Sequence, residues 1–140
     1  MMYPDTFKIS PTKKTPWIFL EPGRIFIMGR SIPENSGEFY KPVLEWISKY
    51  SAECNEKVKI DFGFEYLNTS SSKWIYTIIK ELSEMRGIAL NATFNWYYER
   101  GDEDMCELGI IMRSVVDCAF VVVEVEGMNK SMYEKIMSGN

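Results

Sequence analysis

The chain is 140 residues long, the size of one ordinary domain, and its 46% hydrophobic and 26% charged residues are typical of a soluble globular protein. It contains no histidine, which excludes Ser-His-Asp and Cys-His catalysis and a histidine-ligated zinc site. No apolar run approaches the ~18 residues of a membrane span, and we expect no signal peptide in the polar residues 1–15. The net charge of −4 makes nucleic acids and anionic membranes poor partners.

Three widely spaced cysteines, Cys54, Cys106 and Cys118, form no Cys-x-x-Cys motif. Because three cysteines cannot all pair within one chain, their number favours a reducing compartment, and we expect a cytoplasmic protein. No residue pattern indicates a metal site or a cofactor.

The N-terminal part of the chain predicts an arm followed by a β-hairpin. Residues 1–14 are polar and contain Pro4 and Pro11, and we expect a loose arm there. Trp17–Leu20 and Arg24–Met28 are apolar segments on either side of a Pro-Gly turn, which predicts two antiparallel strands. The domain itself is expected over residues 15–127.

Helices and strands alternate after the hairpin. Apolar residues recur at helical spacing over Phe39–Tyr50, and Pro42 fits such a helix only in its opening turn. Lys57–Tyr66 alternates between apolar and polar residues, as a strand does. A second helix is predicted after a cluster of capping residues at 68–72, and Ile88–Tyr97 predicts the next strand.

The C-terminal part predicts one more helix and strand. The acidic stretch at residues 99–107 indicates the solvated start of a third helix, in which either Ile111 or Met112 faces the core. Phe120–Val125 is a continuous β-branched run, which is typical of a strand covered on both faces. Residues 128–140 form a tail or a short last helix.

The resulting order, β-β-α-β-α-β-α-β, predicts an α/β domain. We expect a mixed, mostly parallel sheet of about five strands, with an N-terminal hairpin and three or four helices. In such a sheet, the loops that leave the carboxyl ends of parallel strands share one edge, where ligands and partners bind. Three loops are expected at that edge: Ser31–Ser36, Leu67–Ser72 and Tyr97–Asp102. Either Asn35 or Ser36 could cap the first helix.

The segment Asn68-Thr69-Ser70-Ser71-Ser72 places four hydroxyls in a row at this edge. Plain helix capping is the simplest explanation, although a cap needs only one such residue. Ser70-x-x-Lys73 matches the Ser-x-x-Lys pattern of serine acylases, but the chain lacks the other motifs of that class. A third explanation is a phosphorylation switch, because a helix N-terminus stabilises a phosphoryl group and needs no histidine or metal.

Two motifs carry a resemblance to a known family. Gly-Arg-Ser-Ile-Pro-Glu-Asn-Ser at residues 29–36 and Tyr-Leu-Asn-Thr-Ser-Ser at residues 66–71 resemble the two motifs of the SiaC-type bacterial regulatory phosphoproteins. That family is similar to the STAS anti-anti-sigma domains, so the resemblance implies a STAS-like fold. In STAS domains the phosphorylated serine lies at the N-terminus of the second helix. By this resemblance the phosphoacceptor of the present chain is Thr69.

The resemblance also implies a function. SiaC-type proteins are non-enzymatic switches, phosphorylated by an anti-sigma-type Ser/Thr kinase and reset by a PP2C-like phosphatase. Their unphosphorylated form binds and stimulates a diguanylate cyclase, which links them to cyclic-di-GMP signalling and biofilm formation. An alternative on the same fold is an anti-anti-sigma factor that binds an anti-sigma kinase. The expected partner-binding surface consists of Pro33, Glu34, Asn35, Ser36, Asn68, Ser70 and Ser71.

Overall fold

The computed structural model describes residues 5–53 and 56–139 of the chain. Within them, six strands form one sheet in the order β1-β2-β3-β4-β5-β6. The strands are β1 (Phe7–Ile9), β2 (Trp17–Glu21), β3 (Arg24–Ser31), β4 (Val58–Leu67), β5 (Ala92–Glu99) and β6 (Ala119–Val125). The helices are α1 (Ser36–Glu53), α2 (Thr69–Glu84), α3 (Arg86–Ala89), α4 (Glu103–Ser114) and α5 (Lys130–Ser138). Strands β1 to β3 are antiparallel and β3 to β6 are parallel, which confirms the α/β class with an N-terminal hairpin.

The N-terminal arm contains the strand that exceeds the expected count. Phe7–Ile9 pairs with β2 and forms one edge of the sheet, so this part of the expected loose arm is ordered structure. Phe7 and Ile9 pack against the core, and the Trp46 indole donates a hydrogen bond to the Asp5 carbonyl at 2.5 Å. Contacts with β2 and with Trp46 therefore hold β1 in place. With three residues, this strand is too short for its sequence pattern to reveal it.

The sheet has one face under four helices and one under a single helix. Helices α1 to α4 contribute to the larger core cluster, which includes the fully buried Phe62, Phe94 and Trp96. Helix α5 covers β3 on the opposite face, where Phe26 and Met28 are packed by Met128 and Tyr133. The strongly apolar β3 and β4 are thus the central strands, and their carboxyl ends lie between the two layers of helices.

Helix α1 does not place its proline as expected. It begins at Ser36, so Pro42 lies inside the helix rather than in the opening turn. Proline has no amide hydrogen, and the Glu38 carbonyl therefore lacks its usual helical donor. Pro42 is exposed, so the ring occupies the outer side of the helix while Val43, Trp46 and Ile47 reach the core.

The segment Ile88–Tyr97 is not one strand. Ile88 belongs to the short helix α3 and is fully buried among the helices, and β5 begins only at Ala92. Ala89 donates its amide to the Met85 carbonyl at 2.8 Å, which continues helical geometry after α2 ends. Ile88 therefore packs in the layer of helices and does not belong to the sheet.

Strand β6 is an edge strand and is not covered on both faces. It pairs with β5 alone among the described strands, and Val121 is 48% exposed. The reason is that α5 packs over β3 and leaves the outer strand open on that face. Helix α4 covers the other face with Met112, while Ile111 points outward, which resolves the choice between these two residues.

Close contact with β5 fixes the position of α4. The Trp96 indole donates a hydrogen bond to the Met105 carbonyl at 3.0 Å. Gly109 faces the same ring, and a Cβ atom there would lie 2.4 Å from Trp96 Cδ1. Glycine at this position therefore allows the helix to approach the strand.

A buried ion pair supports the face under α5. Asp61 is fully buried, with Arg24 Nη1 2.6 Å from its Oδ2 atom and the Asn95 amide donating to Oδ1 at 3.0 Å. Arg24 also donates to the Ile136 carbonyl at 3.4 Å, which places a cation near the end of α5. Among the described residues, no helix is both long and apolar enough to cross a membrane.

Candidate functional site

Two of the expected loops meet at the carboxyl edge of the sheet. They follow β3 and β4, which are adjacent and parallel. The Asn68 amide donates to the Ser31 carbonyl at 3.0 Å, and the hydroxyls of Ser36 and Ser70 are 2.6 Å apart. We call the surface formed by residues 33–36 and 68–71 the switch edge.

A chain of buried hydroxyls lies beneath the switch edge. Tyr40 Oη is 2.5 Å from Ser31 Oγ, and Ser31 Oγ donates to Ser71 Oγ at 2.8 Å. All three side chains are fully buried. Burial raises the pKa of the Tyr40 phenol to about 12, against the opposing effect of hydrogen bonds with Ser31 and Ser71. The chain joins α1, β3 and α2 and so fixes how the two helices begin.

The start of α2 is capped by Asn68. This residue has extended backbone angles, and its Oδ1 atom accepts the Ser71 amide at 2.9 Å. The same oxygen accepts the Ser70 hydroxyl at 3.3 Å, while the Ser72 hydroxyl donates to the Thr69 carbonyl at 2.9 Å. The hydroxyls of Ser70, Ser71 and Ser72 therefore all take part in hydrogen bonds.

Thr69 differs from its neighbours in this respect. It is the first residue of α2 and is exposed, and its Oγ1 atom makes no hydrogen bond to any described residue. Its amide and that of Ser70 are likewise unpaired among the described residues, as the first amides of a helix are. A free hydroxyl beside free amides is suited to accept a phosphoryl group, whose charge a helix N-terminus stabilises.

The β3–α1 loop has a capping role and also borders Thr69. Asn35 Oδ1 accepts the Glu38 amide at 3.0 Å, so Asn35 is the cap of α1. Ser36 is buried and is in contact with Ser70, while Glu34 is exposed in the same loop. The loop therefore contributes one exposed carboxylate to the switch edge, and Glu34 shares a cavity with Phe7 of β1 and Pro42 of α1.

The third expected loop takes part in a different set of contacts. The Arg100 amide donates to the Val125 carbonyl at 2.8 Å, and Glu99 Oε1 accepts the Met128 amide at 2.9 Å. Its hydrogen bonds among the described residues thus lead to β6 and the segment before α5. The acidic stretch forms the start of α4, with Asp102 accepting the Met105 amide at 3.1 Å.

The geometry at Ser70 is not that of an acylating enzyme. The Ser70 hydroxyl is shared between Ser36 and Asn68, and no described hydrogen bond joins it to Lys73. In the described part of the chain no group of three acidic or cysteine side chains could hold a metal ion. Cys106 and Cys118 are free thiols, while Cys54 lies outside the described residues.

A mostly parallel α/β domain suits a regulatory phosphoprotein when its sheet edge presents, at a helix N-terminus, an exposed hydroxyl that bonds to none of the described residues. The sequence supports this class directly, because residues 9–125 match the SiaC family of regulatory phosphoproteins. The chain belongs to this family, which confirms the resemblance of the two sequence motifs and assigns a regulatory role rather than an enzymatic one.

Known proteins of Pseudomonas aeruginosa are similar to the chain. An uncharacterized protein of strain UCBPP-PA14 is 33% identical over 114 residues, which are 80% of this chain and 89% of that protein. The structure of SiaC matches with a TM-score of 0.78 and 28% identity, over 86% of this chain and 99% of SiaC. A crystal structure of the diguanylate cyclase SiaD in complex with its activator SiaC matches with a TM-score of 0.76 and 29% identity, over 85% of this chain and 99% of that chain.

Sequence reasoning found the loops of the switch edge but missed the hydroxyls beneath them. Tyr40 does not belong to the apolar positions that predict the first helix, and Ser31 is one residue of a loop motif. The sequence contained one signal for these hydroxyls, namely Ser31 at the end of a buried strand. A buried hydroxyl needs a hydrogen-bond partner. That signal indicates a hydrogen bond but does not identify the residue that completes it.

Proposed function

We propose that the protein is a phosphorylation switch whose unphosphorylated form binds and stimulates a diguanylate cyclase. The observation that carries this proposal is the hydroxyl of Thr69, which is exposed and unengaged among the described residues at a helix N-terminus. Membership of the SiaC family supports a phosphorylated regulator. The relative SiaC, described as the activator of the cyclase SiaD, supports the class of effector.

Thr69 is the acceptor because the neighbouring hydroxyls already take part in hydrogen bonds. Ser71 is fully buried and bonded to Ser31, so a kinase could reach it only after the hydroxyl chain had opened. Ser70 is engaged by Ser36 and Asn68. Breaking such hydrogen bonds costs about 1 kcal/mol each, and a buried hydroxyl adds the cost of exposing its surroundings.

The opposing enzymes are those that the resemblance to the SiaC-type family implies. An anti-sigma-type Ser/Thr kinase adds the phosphate, and a PP2C-like phosphatase removes it. Both act in the cytoplasm, where we place the protein. The surface around Thr69 that we expected from Pro33, Glu34, Asn35, Ser36, Asn68, Ser70 and Ser71 needs one revision, because Ser36 and Ser71 are buried and can only support it from below. Pro33, Glu34, Asn35, Asn68 and Ser70 form the partner-binding surface, since they belong to the same two adjoining loops.

The phosphate acts on the partner and leaves the fold intact. It adds about −1.5 to −2 charge at neutral pH, and at an exposed helix N-terminus this charge is favourable by ~0.3–1 kcal/mol. Helix α2 therefore keeps its structure. The exposed carboxylate of Glu34 adds to the negative field, and the enlarged side chain prevents close packing of the effector.

Co-purification with the tagged protein from its native cell tests this function. Wild-type protein should recover a diguanylate cyclase and raise its rate of cyclic-di-GMP synthesis from GTP, whereas Thr69→Asp should recover much less. Recovery of an anti-sigma kinase alone, without a cyclase, would assign the protein to the anti-anti-sigma factors instead. Equal recovery of the cyclase by both forms would refute the switch.

A further inference from the structure

Residues 69–80 of α2 contain lysines but no acidic residue, whereas the last turn of the helix contains Glu81 and Glu84. Residues 66–80 contain two lysines and no acidic residue, in a protein that has 20 acidic residues and a net charge of −4. Thr69, Lys73, Tyr76 and Lys80 are spaced by four, three and four positions along the helix. At about 100° per residue these positions lie within an arc of roughly 60°, and they extend over about 16 Å. We call them the α2 stripe.

The stripe has the composition of a recognition surface. Tyr76 is 39% exposed, although its ring is a large apolar group. Lys73 is exposed and has no ion-pair partner among the described residues, while Lys80 is paired with Glu84 at 3.7 Å. Exposed tyrosines are enriched among residues that dominate binding energy, and an unpaired lysine beside one gives the surface a positive sign.

A second tyrosine extends this character past the helix. Tyr66, three residues before Thr69, is 52% exposed, and the Arg30 guanidinium lies 6.0 Å from its ring centre. Arg30 directly precedes Ser31, whose carbonyl accepts the Asn68 amide. Along the chain, Thr69 is therefore preceded by one exposed tyrosine with a cation beside it and followed by Lys73 and Tyr76.

We propose that the α2 stripe is the docking site for an acidic segment of the effector, which places its carboxylates against Lys73 and an apolar group on Tyr76. The inference rests on the proposed function and names the chemistry of its partner. Charge complementarity carries it, because Lys73 is exposed and has no ion-pair partner among the described residues, and residues 66–80 contain no acidic side chain.

This arrangement explains how one phosphate controls binding. A phosphate on Thr69 lies one helical turn from Lys73, at the i,i+4 spacing that allows the two side chains to pair. The phosphate therefore neutralises the lysine that the partner needs and also repels the partner's carboxylates. The same charge that is favourable for α2 is unfavourable for an acidic partner.

A binding titration with the cyclase obtained from the native cell tests the inference. Lys73→Glu and Tyr76→Ala should each weaken binding by roughly tenfold or more, and Lys73→Arg should bind as wild type. Lys49→Glu on the exposed side of α1 and Ile111→Ala on α4 are matched controls, which should change affinity by less than about threefold. Wild-type affinity should fall as salt rises to about 0.3 M.

The phosphorylated protein provides a second readout. Because the phosphate already masks Lys73, Lys73→Glu should weaken binding much less in phosphorylated than in unphosphorylated protein. Unchanged or tighter binding by unphosphorylated Lys73→Glu would overturn the acidic-segment inference and leave the cyclase switch standing, provided that phosphorylation still weakens binding. If wild-type protein binds no cyclase, the proposed function fails and this inference fails with it. The melting midpoints of Lys73→Glu and Tyr76→Ala should stay within a few degrees of wild type. This control excludes misfolding as the cause of weaker binding.

Discussion

Helices α2 and α4 begin at the same edge of the sheet, yet their first turns carry different charges. Both are capped by an Asx side chain that accepts an amide three residues on, Asn68 for α2 and Asp102 for α4. The first turn of α4 contains Glu103 and Asp104, whereas the first turn of α2 contains no acidic residue. In α4 the negative charge that suits a helix N-terminus is part of the sequence.

In α2 that favourable position is left without charge. A hydroxyl occupies it, and the amides of Thr69 and Ser70 remain unpaired among the described residues. A helix start that already has its acidic residues gains little from a phosphate and would repel it, whereas a neutral one accepts it at no cost to the fold. The comparison supports the proposal that α2 is the helix whose charge is changed reversibly.

The largest expected effect is phosphorylation itself, which should occur at the start of α2 and not at the start of α4. With ATP and the cognate kinase, wild-type protein should gain one phosphate on Thr69, and Thr69→Ala should gain none. Intact-mass measurement and peptide mapping provide the readout, and Ser70→Ala is the control that should still be phosphorylated. A phosphate found on Thr69→Ala, or mapped to the start of α4, would end the distinction.

The buried hydroxyl chain beneath the start of α2 should make the stability of the protein depend on alkaline pH. Because the folded-state pKa of Tyr40 is raised from 10.0 to about 12, the native state retains a proton that the unfolded chain releases. This stabilisation is present below pH 10 and is lost as pH rises to about 12, on the order of 2–3 kcal/mol. Tyr40→Phe lacks this loss and should be about 1 kcal/mol less stable than wild type at pH 8. Urea unfolding at pH 8 and at a pH near 12 should show that the stability difference between wild type and Tyr40→Phe shrinks or reverses as pH rises. A constant difference in the free energy of unfolding would contradict the assignment.

Phosphorylation should change binding far more than stability. We expect the melting midpoint of the phosphorylated protein to stay within a few degrees of wild type, while its affinity for the effector falls at least tenfold, ~1.4 kcal/mol. Circular dichroism melts and a titration of both forms provide the measurement. Glu103→Gln, which removes a charge from the other helix start, should leave the affinity unchanged. A phosphorylated protein that unfolds would show that the charge acts on the fold.

The smallest effect is expected at the caps themselves. Asn68→Ala and Asp102→Ala should each lower the free energy of unfolding by about 1 kcal/mol, because each leaves one helical amide without its acceptor. At low salt, Asp102→Ala should lower the free energy of unfolding slightly more than Asn68→Ala, since the charge of Asp102 also interacts with the helix dipole. Urea titrations at two salt concentrations compare the pair. A loss above about 3 kcal/mol at either site would mean that the residue supports more than its helix start.

Several elements could be predicted because their signals are local. The hairpin follows from two apolar segments around a Pro-Gly turn, and α2 follows from Asn68 and the apolar stripe after it. Strand β1 could not be predicted, because its three residues depend on β2 and on a core contact at Phe7. The exposure of β6 was missed because a run of valines has the same pattern in a central strand as at an edge.

The candidate site shows the same division. Asn68 and Thr69 were identified from a motif, and the meeting of their loop with Ser36 follows from parallel topology. The pairing of Tyr40 with Ser31 depends on how α1 crosses the sheet, which no spacing along the chain contains. The role of Asn35 as the cap, in preference to Ser36, was likewise decided by the contact of Ser36 with the second loop.

The protein also contains its own optical reporter. Trp74 lies in α2, five residues after Thr69, and its ring stacks on Tyr40 with a centroid distance of 6.5 Å and an interplanar angle of 18°. The other tryptophans, Trp17, Trp46 and Trp96, belong to β2, α1 and β5. Indole emission depends on the polarity and the aromatic neighbours of the ring, so a change at the start of α2 alters the signal of Trp74 first. Intrinsic fluorescence is therefore a readout, without an attached dye, for the proposed phosphorylation at Thr69 and the proposed release of the effector.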